Sequence, residues 1–288
     1  MYGARDSGPF SGRPHRGLIQ PAHRQLREGR NISTTKSITS TLGVIVAGLA
    51  VAACGSSAES RETARASGSS LPQGSEKANL KPADFTTNID NPYWPMKPGS
   101  KWVYRESDTE GTKEKVVVEV TDKTKRIANG VEARVIRDTV SENGVPVEIT
   151  DDWYAQDKAG NIWYLGEYVS NYKNGKVTDH GGSFEAGVKG AEAGVAMPAN
   201  PKPGMSYRQE YFKGEAEDKG AVITVGQEQV EVPFGFYDED VLMTRDLVPT
   251  EPKVQELKFY APGVGPLLSV HTDGVGGRGE LVSYTPGK

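Results

Sequence analysis

Few residues in this chain have the types and spacing that metal binding requires. Of its four histidines only His180 and His271 follow residue 53, and neither is clustered with cysteine and carboxylates. The acidic runs 151–152 and 238–240 lack the alternating spacing that wraps a calcium ion. We interpret these acids as solvated turn residues. The sequence therefore predicts no metal site and no cofactor.

Nucleophilic and acid–base catalysis have equally little support. The sequence has no Gly-x-Ser-x-Gly element that would present a nucleophilic serine. The Gly-rich segment 274–279 precedes a strand-like segment, 280–284, whereas a phosphate cradle needs N–H groups at the start of a helix. A pair of carboxylates for glycoside cleavage stays open, because the sequence does not give their separation. We expect no catalytic residue, and a cell-wall or polysaccharide-processing enzyme is the alternative.

The chemistry of the single cysteine, Cys54, is indicated by its surroundings. The apolar segment 41–53 follows a basic stretch and falls short of the ~20 residues of a membrane-spanning helix. Its length is that of the apolar region of a secretory signal peptide. The small residues Val51-Ala52-Ala53 before Cys54 resemble the lipobox of bacterial lipoproteins, in which the cysteine thiol is diacylglycerated and becomes the new N-terminus. A plain secretory signal or a short buried helix is the alternative interpretation.

This interpretation divides the chain into three parts. Residues 1–53 would be a signal segment with an unusually extended start, and residues 54–84 a flexible Ser- and Gly-rich tether. Residues 85–288 would form the folded domain. The predicted partner of Cys54 is a membrane, since two acyl chains at ~0.8 kcal/mol per buried CH₂ anchor a protein stably. We expect the protein in the cell envelope, facing outside the cytoplasm.

The charge of the chain is divided unevenly. Its formal net charge is −4, from 34 Lys and Arg against 38 Asp and Glu. Residues 1–53 carry seven of the basic and two of the acidic residues, which leaves a net charge of −9 on residues 54–288. An acidic domain is repelled by nucleic acid and by anionic lipid. We therefore expect no nucleic-acid partner.

From residue 85 onward, short β-prone segments alternate with turns. Segments 101–106, 114–121 and 131–138 are rich in β-branched and aromatic residues. The dipeptide Asn143-Gly144 is typical of a two-residue hairpin turn. No apolar stretch in this region shows sustained helical spacing. The sequence therefore predicts an all-β fold.

The two halves of this domain contain similar segments in the same order. Residues 97–102 match residues 202–207, and residues 153–155 match residues 259–261 at nearly the same separation. We interpret them as two related antiparallel meanders that form a sandwich or an open half-barrel. The predicted units are residues 96–180 and 201–285.

Three segments carry a resemblance to known proteins. Residues 230–237, 259–267 and 90–104 resemble a widespread and largely uncharacterised family of secreted bacterial β-meander proteins, many of them lipoproteins. The resemblance covers most of residues 85–285. It implies a curled antiparallel sheet like the half-barrels of lipoprotein-localisation factors, and it transfers no catalytic residue.

Adjacent aromatic residues must point to opposite faces of a strand. We expect one member of each pair to fill the core and the other to line a groove. Such a groove would suit a hydrophobic or glycan ligand, or an extended peptide. The predicted binding surface consists of Tyr93, Trp94, Trp153, Tyr154, Trp163, Tyr164 and Tyr260. The leading functional prediction is a lipoprotein with a non-enzymatic binding or scaffolding role.

Replacing Cys54 with Ser removes the sulfur to which the lipid is attached. We expect the Cys54→Ser variant to accumulate as precursor or to appear in the medium, with its folding unchanged. Fractionation of cells into membrane and soluble material measures the effect. Unchanged membrane retention would show that another element anchors the protein.

Overall fold

The regular secondary structure of the described residues is almost entirely β-strand. The computed structural model describes residues 71–107, 113–250, 252, 255–272 and 277–288, so the predicted signal segment and Cys54 lie outside the described residues. One 3₁₀ helix spans Pro82–Asp84. No helix in the described ranges is long and apolar enough to cross a membrane. The strands are β1 (Phe85–Thr86), β2 (Lys101–Ser107), β3 (Lys113–Arg126), β4 (Glu132–Glu142), β5 (Val145–Asp157), β6 (Ile162–Lys173), β7 (Lys176–Asp179), β8 (Phe184–Glu185), β9 (Glu192–Met197), β10 (Ser206–Arg208), β11 (Glu210–Tyr211), β12 (Lys219–Val225), β13 (Val230–Val232), β14 (Gly235–Tyr237), β15 (Leu242–Leu247), β16 (Gln255–Ala261), β17 (Gly265–His271) and β18 (Arg278–Thr285).

Most of these strands belong to one antiparallel sheet. Its strand order is β10-β12-β15-β16-β17-β18-β2-β3-β4-β5-β6-β9-β11. Outside this path β1 pairs with β5, and β7 and β8 pair with β6, while β13 and β14 form a separate hairpin. The path contains two runs of neighbouring strands, β2 to β6 followed by β9, and β12 to β18 without the β13–β14 hairpin. The prediction of an all-β fold with two antiparallel meanders is confirmed.

The same turn precedes β2 and β10. Gly99 and Gly204 each have a φ of +85°, a conformation that favours glycine because it lacks a Cβ. The Gly99 N–H donates to the Val120 carbonyl at 2.8 Å, and the Gly204 N–H donates to the Val222 carbonyl at 3.0 Å. The aromatic residue after each turn is buried. The boundaries of the two predicted units remain a prediction.

The two ends of the sheet lie next to each other in the chain. β10 and β11 are the terminal strands of the path and are separated only by Gln209, so the sheet curls until it is nearly closed into a barrel. Arg208 bridges the join, because its Nε and Nη2 atoms donate to the Ala193 carbonyl of β9 at 3.2 and 2.6 Å. A Cβ at Gly194 would overlap the Gln209 carbonyl, so glycine permits this close approach. We call this join the seam.

The sheet buries apolar side chains on both faces. The larger cluster lies on the inner face, with Ile136 of β4 and Tyr154 of β5 among its members. The neighbouring residues Val135 and Trp153 point the other way into a smaller cluster. This division follows the alternation of side chains along a strand. The barrel therefore has an interior and a second, covered outer surface.

The end of the predicted tether is part of the folded domain. Residues 54–84 were expected to form a flexible spacer, but residues 71–84 lie against the barrel. Pro72 is buried, and its carbonyl accepts the Arg208 N–H at 2.6 Å. Leu80 packs on the outer apolar cluster. The apolar residues of this segment cover surface that the sheet would otherwise expose to water; residues 54–70 lie outside the described residues.

Trp102 and Tyr207, which follow the two equivalent turns, are each 1% exposed. We expect Trp102→Ala and Tyr207→Ala each to lower the free energy of unfolding by about 3–5 kcal/mol, since each leaves a large cavity. Urea denaturation measures the loss. Phe236→Ala is the control, because Phe236 is exposed and should change stability by about 0.5 kcal/mol or less. Equal losses for all three variants would contradict equivalent buried positions.

Candidate functional site: the acidic barrel interior

The aromatic residues predicted to line a surface are mostly packed inside the protein. Tyr154 and Tyr164 lie in the barrel with ring centroids 4.9 Å apart, and Trp94 lies 5.5 Å from Tyr154. Trp94 also approaches Tyr260 at 6.2 Å. Tyr93 belongs to the same buried cluster. These five side chains form interior packing instead of an exposed groove, and a ligand-binding role for them stays a prediction.

The other two predicted aromatics lie on the outer face of the sheet. Trp153 is buried in the outer cluster, with the Lys125 ammonium 4.4 Å from its ring centre. Trp163 is partly buried, and its indole N–H donates to the Asp157 carboxylate at 2.8 Å. Phe85 packs edge-on against Trp163. The structure therefore divides the predicted binding surface between two sides of the sheet.

The interior is instead rich in carboxylates. Among the described residues, nine acidic side chains are buried, each at most 8% exposed. They come from both runs of strands, and each acts electrostatically on at least one of the others. They are Glu106, Asp138, Glu148, Asp152, Glu167, Glu210, Asp218, Asp246 and Glu256.

The alternation of the strands places these acids inside. In β16 the side chains of Glu256, Lys258 and Tyr260 are buried, while Leu257 and Phe259 between them are partly exposed. The charged face of this strand is therefore the inner one. A strand of this pattern would ordinarily turn its apolar face inward, so alternation alone does not predict this orientation.

Asp152 corrects an expectation about the acidic run 151–152. Asp151 lies on the outer face, where its carboxylate accepts both arms of the Arg137 guanidinium at 2.8 Å. Asp152 points inward and is 1% exposed, so it is not a solvated turn acid. Its partner across the sheet is Glu167 of β6. Two like charges directly opposite each other are destabilising unless one is neutralised.

One lysine neutralises part of this negative charge. The Lys258 ammonium lies 2.8 Å from the Asp246 carboxylate and 3.2 Å from that of Glu256. Burial alone would lower the pKa of Lys258, but these two carboxylates hold the pKa well above its ordinary value. Lys258 is therefore charged, and its two nearest partners are Asp246 and Glu256.

Several polar atoms in the interior have no hydrogen-bond partner among the described residues. Asp152 accepts the Tyr164 hydroxyl at Oδ1 at 2.8 Å, but its Oδ2 atom has no partner. The same is true of Glu167 Oε2, Tyr154 Oη and both carboxylate oxygens of Glu210. A buried polar group without a partner costs about 1–3 kcal/mol. We call these four residues, Asp152, Glu167, Tyr154 and Glu210, the acceptor cluster.

Burial sets the proton affinity of this cluster. Desolvation raises the pKa of Asp152 to about 7, partly offset by the hydrogen bond from Tyr164. Desolvation, followed by the negative charge of Asp152, raises the pKa of Glu167 well above its ordinary value. Burial, followed by the negative charge of Asp218, raises the pKa of Glu210 well above its ordinary value. The carboxyls therefore hold protons to unusually high pH when nothing else compensates them.

A cavity at the seam borders one member of the acceptor cluster, Glu210. Its volume is about 220 Å³, and it opens to solvent. Glu210, Asp218 and Arg208 are among the residues that line it. The wall also contains Gly74, Ser75, Tyr211, Glu217, Lys219 and Pro249. Of the acceptor cluster, Glu210 borders this cavity, whereas Asp152, Glu167 and Tyr154 do not.

The described residues do not form a metal centre. Within those ranges no group of three or more histidine, cysteine and acidic side chains is placed to hold a metal ion. His180 stacks on Tyr168 and contacts the Val169 carbonyl through Nδ1 at 2.7 Å, whereas His271 lies 3.5 Å from Glu256. The two histidines therefore do not share a site.

A second, wider depression lies between the β4–β5 and β6–β7 hairpins. Its volume is about 630 Å³. It is lined by Pro146, Val147 and Tyr172 together with amides and acids such as Asn171 and Asp179. The Asn171 side-chain amide donates to Asp179 at 2.7 Å. This surface is open and mixed in polarity, and it contains none of the acceptor cluster.

Comparisons with known proteins identify no family. No family model matches the chain, and no curated protein matches it. One solved structure, a protein proposed to be a lipoprotein from Parabacteroides distasonis, is 13% identical with a TM-score of 0.35, covering 67% of this chain and 98% of that one. A β-barrel-like protein of a domain of unknown function from Brucella abortus is 12% identical with a TM-score of 0.31, covering 65% of this chain and 97% of that one.

The stability of the barrel should fall as the pH rises. Asp152 has a pKa of about 7 when folded, against about 3.9 for an unfolded aspartate. Between these values the folded protein keeps a proton that the unfolded chain releases. Asp152 therefore lowers the free energy of unfolding by about 1.4 kcal/mol per pH unit from pH 4 to pH 7.

Denaturation at pH 5 and pH 7 measures this slope. Asp152→Asn should flatten it, whereas Asp151→Asn, a change to the adjacent outward-facing residue, should leave it unchanged. The same slope in Asp152→Asn and the wild type would show that Asp152 is ionised in the folded protein.

Proposed function

We propose that this chain is a lipid-anchored protein of the bacterial cell envelope whose β-barrel binds a small polar ligand without catalysing a reaction. The observation that carries the binding role is the acceptor cluster. It places unpartnered carboxylate oxygens at fully buried positions, next to a cavity that opens to solvent. Buried polar groups in proteins are nearly always hydrogen-bonded, so each exception needs an explanation, and a bound molecule that completes the bonds is one.

The envelope location rests on the sequence around Cys54. The small residues 51–53 and the apolar segment before them fit lipoprotein processing. Folded sequence begins by residue 71, so 16 residues separate the domain from Cys54. This spacer is rich in serine and supports a domain that stands off a membrane surface.

A carrier of acyl chains is less well supported than a binder of polar ligands. A carrier needs a wide apolar cavity, but Trp102, Tyr104, Tyr164 and Tyr207 fill the apolar part of the interior and are almost completely buried. Tyr104 also fixes its position by donating its hydroxyl hydrogen to the Pro266 carbonyl at 3.0 Å. The remaining part of the interior is lined by carboxylates, which disfavour an acyl chain.

The alternative function is a glycan-cleaving enzyme, and the carboxylate pair Asp152 and Glu167 is the feature that supports it. Such enzymes use two acidic side chains on either side of the bond they cleave. Here both side chains are at most 2% exposed, whereas a polysaccharide needs an open cleft. The burial of the pair favours binding of a small ligand over cleavage of a polymer.

Native mass spectrometry of the full-length protein, extracted from membranes in mild detergent, tests the proposal. We expect a covalent mass increase from the lipid on Cys54 and a second, non-covalent mass that is smaller than a phospholipid. The Cys54→Ser variant should lose the first mass and keep the second. A phospholipid-sized adduct would instead support a lipid carrier, and the absence of any non-covalent mass would contradict the binding role.

A further inference from the structure

We infer that the ligand is a small organic amine, which enters through the seam cavity and whose ammonium group pairs with Glu210, the member of the acceptor cluster that borders this cavity. This inference rests on the proposed function and names the chemical class of its ligand. It follows from the types of the unpartnered atoms, the charges that face them, the rings beside them and the size of the entrance.

The unpartnered atoms of the cluster are mainly acceptors. Once Glu210 gives up its proton, its carboxylate accepts hydrogen bonds and donates none, so both of its oxygens then require donors from another molecule. Asp152 Oδ2 and Glu167 Oε2 add two further acceptors on adjacent strands. An ammonium group supplies three donors and a positive charge. An anion or a neutral acceptor would leave these oxygens uncompensated.

The charges that face Glu210 are predominantly negative. They belong to Asp218 after β11, Glu167 of β6, Asp152 of β5 and Lys258 of β16. Lys258 is already held by Asp246 and Glu256. A bound cation would therefore meet net negative charge at the cluster. Because the empty cluster holds protons, a cation that ionises it should release protons as it binds.

Aromatic rings adjoin the carboxylates. Tyr154, a member of the cluster, lies between the rings of Tyr164 and Trp94, at centroid distances of 4.9 and 5.5 Å. Rings of this kind attract cations through their electron-rich faces. An inorganic cation is disfavoured, because within the described residues no group of three or more histidine, cysteine and acidic side chains is placed to hold a metal ion.

The entrance limits the size of the ligand. The seam cavity of about 220 Å³ is smaller than the roughly 300–1,000 Å³ of pockets for drug-sized molecules. Its wall includes Gly74 and Ser75 of the N-terminal segment and Glu217 near the mouth. An amine with a short carbon chain is of the appropriate size.

Titration calorimetry with the full-length protein in mild detergent tests this inference. The probe is 1,4-diaminobutane, and 1-butanol is the uncharged comparison. Glu210→Gln keeps the shape of the side chain and removes its charge. Glu231→Gln is the matched control, because Glu231 is an exposed residue of the β13–β14 hairpin. Circular dichroism confirms that each variant is folded, and Asp152→Asn replaces Glu210→Gln as the deciding variant if the latter is not.

We expect the diamine to bind the wild type and the Glu231→Gln variant equally, and Glu210→Gln at least about tenfold more weakly, the equivalent of 1.4 kcal/mol. Binding measured in two buffers of different ionisation enthalpy should show proton release in the wild type and less release in Glu210→Gln. 1-Butanol should not bind. Equal affinity of Glu210→Gln and the wild type, or binding of 1-butanol as tight as that of the diamine, would overturn the inference.

Failure of this inference can be told apart from failure of the proposed function. If the diamine does not bind but the extracted protein carries another small non-covalent ligand, the barrel binds a ligand of a different class. If neither the diamine nor any small adduct is found, the binding role itself is wrong.

Discussion

The barrel depends on one close approach, that of β9 to the residues linking β10 and β11. The strands at the two ends of the sheet, β10 and β11, come from residues 206–211. Because they are neighbours in the chain, the sheet must curl until its two ends meet. Gly194 permits the contact and Arg208 secures it with hydrogen bonds to the Ala193 carbonyl. Without this join the interior would be one face of an open sheet, and water would hydrate its carboxylates.

Closure turns those carboxylates into a constraint on the rest of the interior. A buried negative charge must be paired, protonated or compensated by another molecule. Lys258 pairs with Asp246 and Glu256, and the Tyr164 hydroxyl donates a hydrogen bond to Asp152. Glu167 and Glu210 avoid a buried charge by keeping their protons. The aromatic side chains of the interior are closely packed. The buried carboxylates are therefore what distinguishes this interior from an ordinary apolar core.

The fold could be predicted from the sequence much further than the site. Asn143-Gly144 has positive φ at both positions, as its hairpin required, and Gly99 and Gly204 occupy matching turns. The acids were missed because period-two alternation gives two faces without saying which is inside. In β16 the apolar Leu257 and Phe259 face outward, against the usual rule, since the barrel buries both faces in places. Glu210 and Asp152 are brought towards each other by the strand order β5-β6-β9-β11, which no local pattern encodes.

The N-terminal segment also determines how the domain would respond to a mechanical pull. A force on the chain before residue 71 reaches the barrel first through the hydrogen bond from Arg208 to Pro72 and through the Gln73 side chain, which donates to the Ser206 carbonyl at 2.6 Å. Next in line are the Arg208 bonds to the carbonyls of Gly74 and Glu76. Tension would therefore peel this segment from the seam before it loads the sheet, and the wall of the cavity would be the first part of the fold to yield.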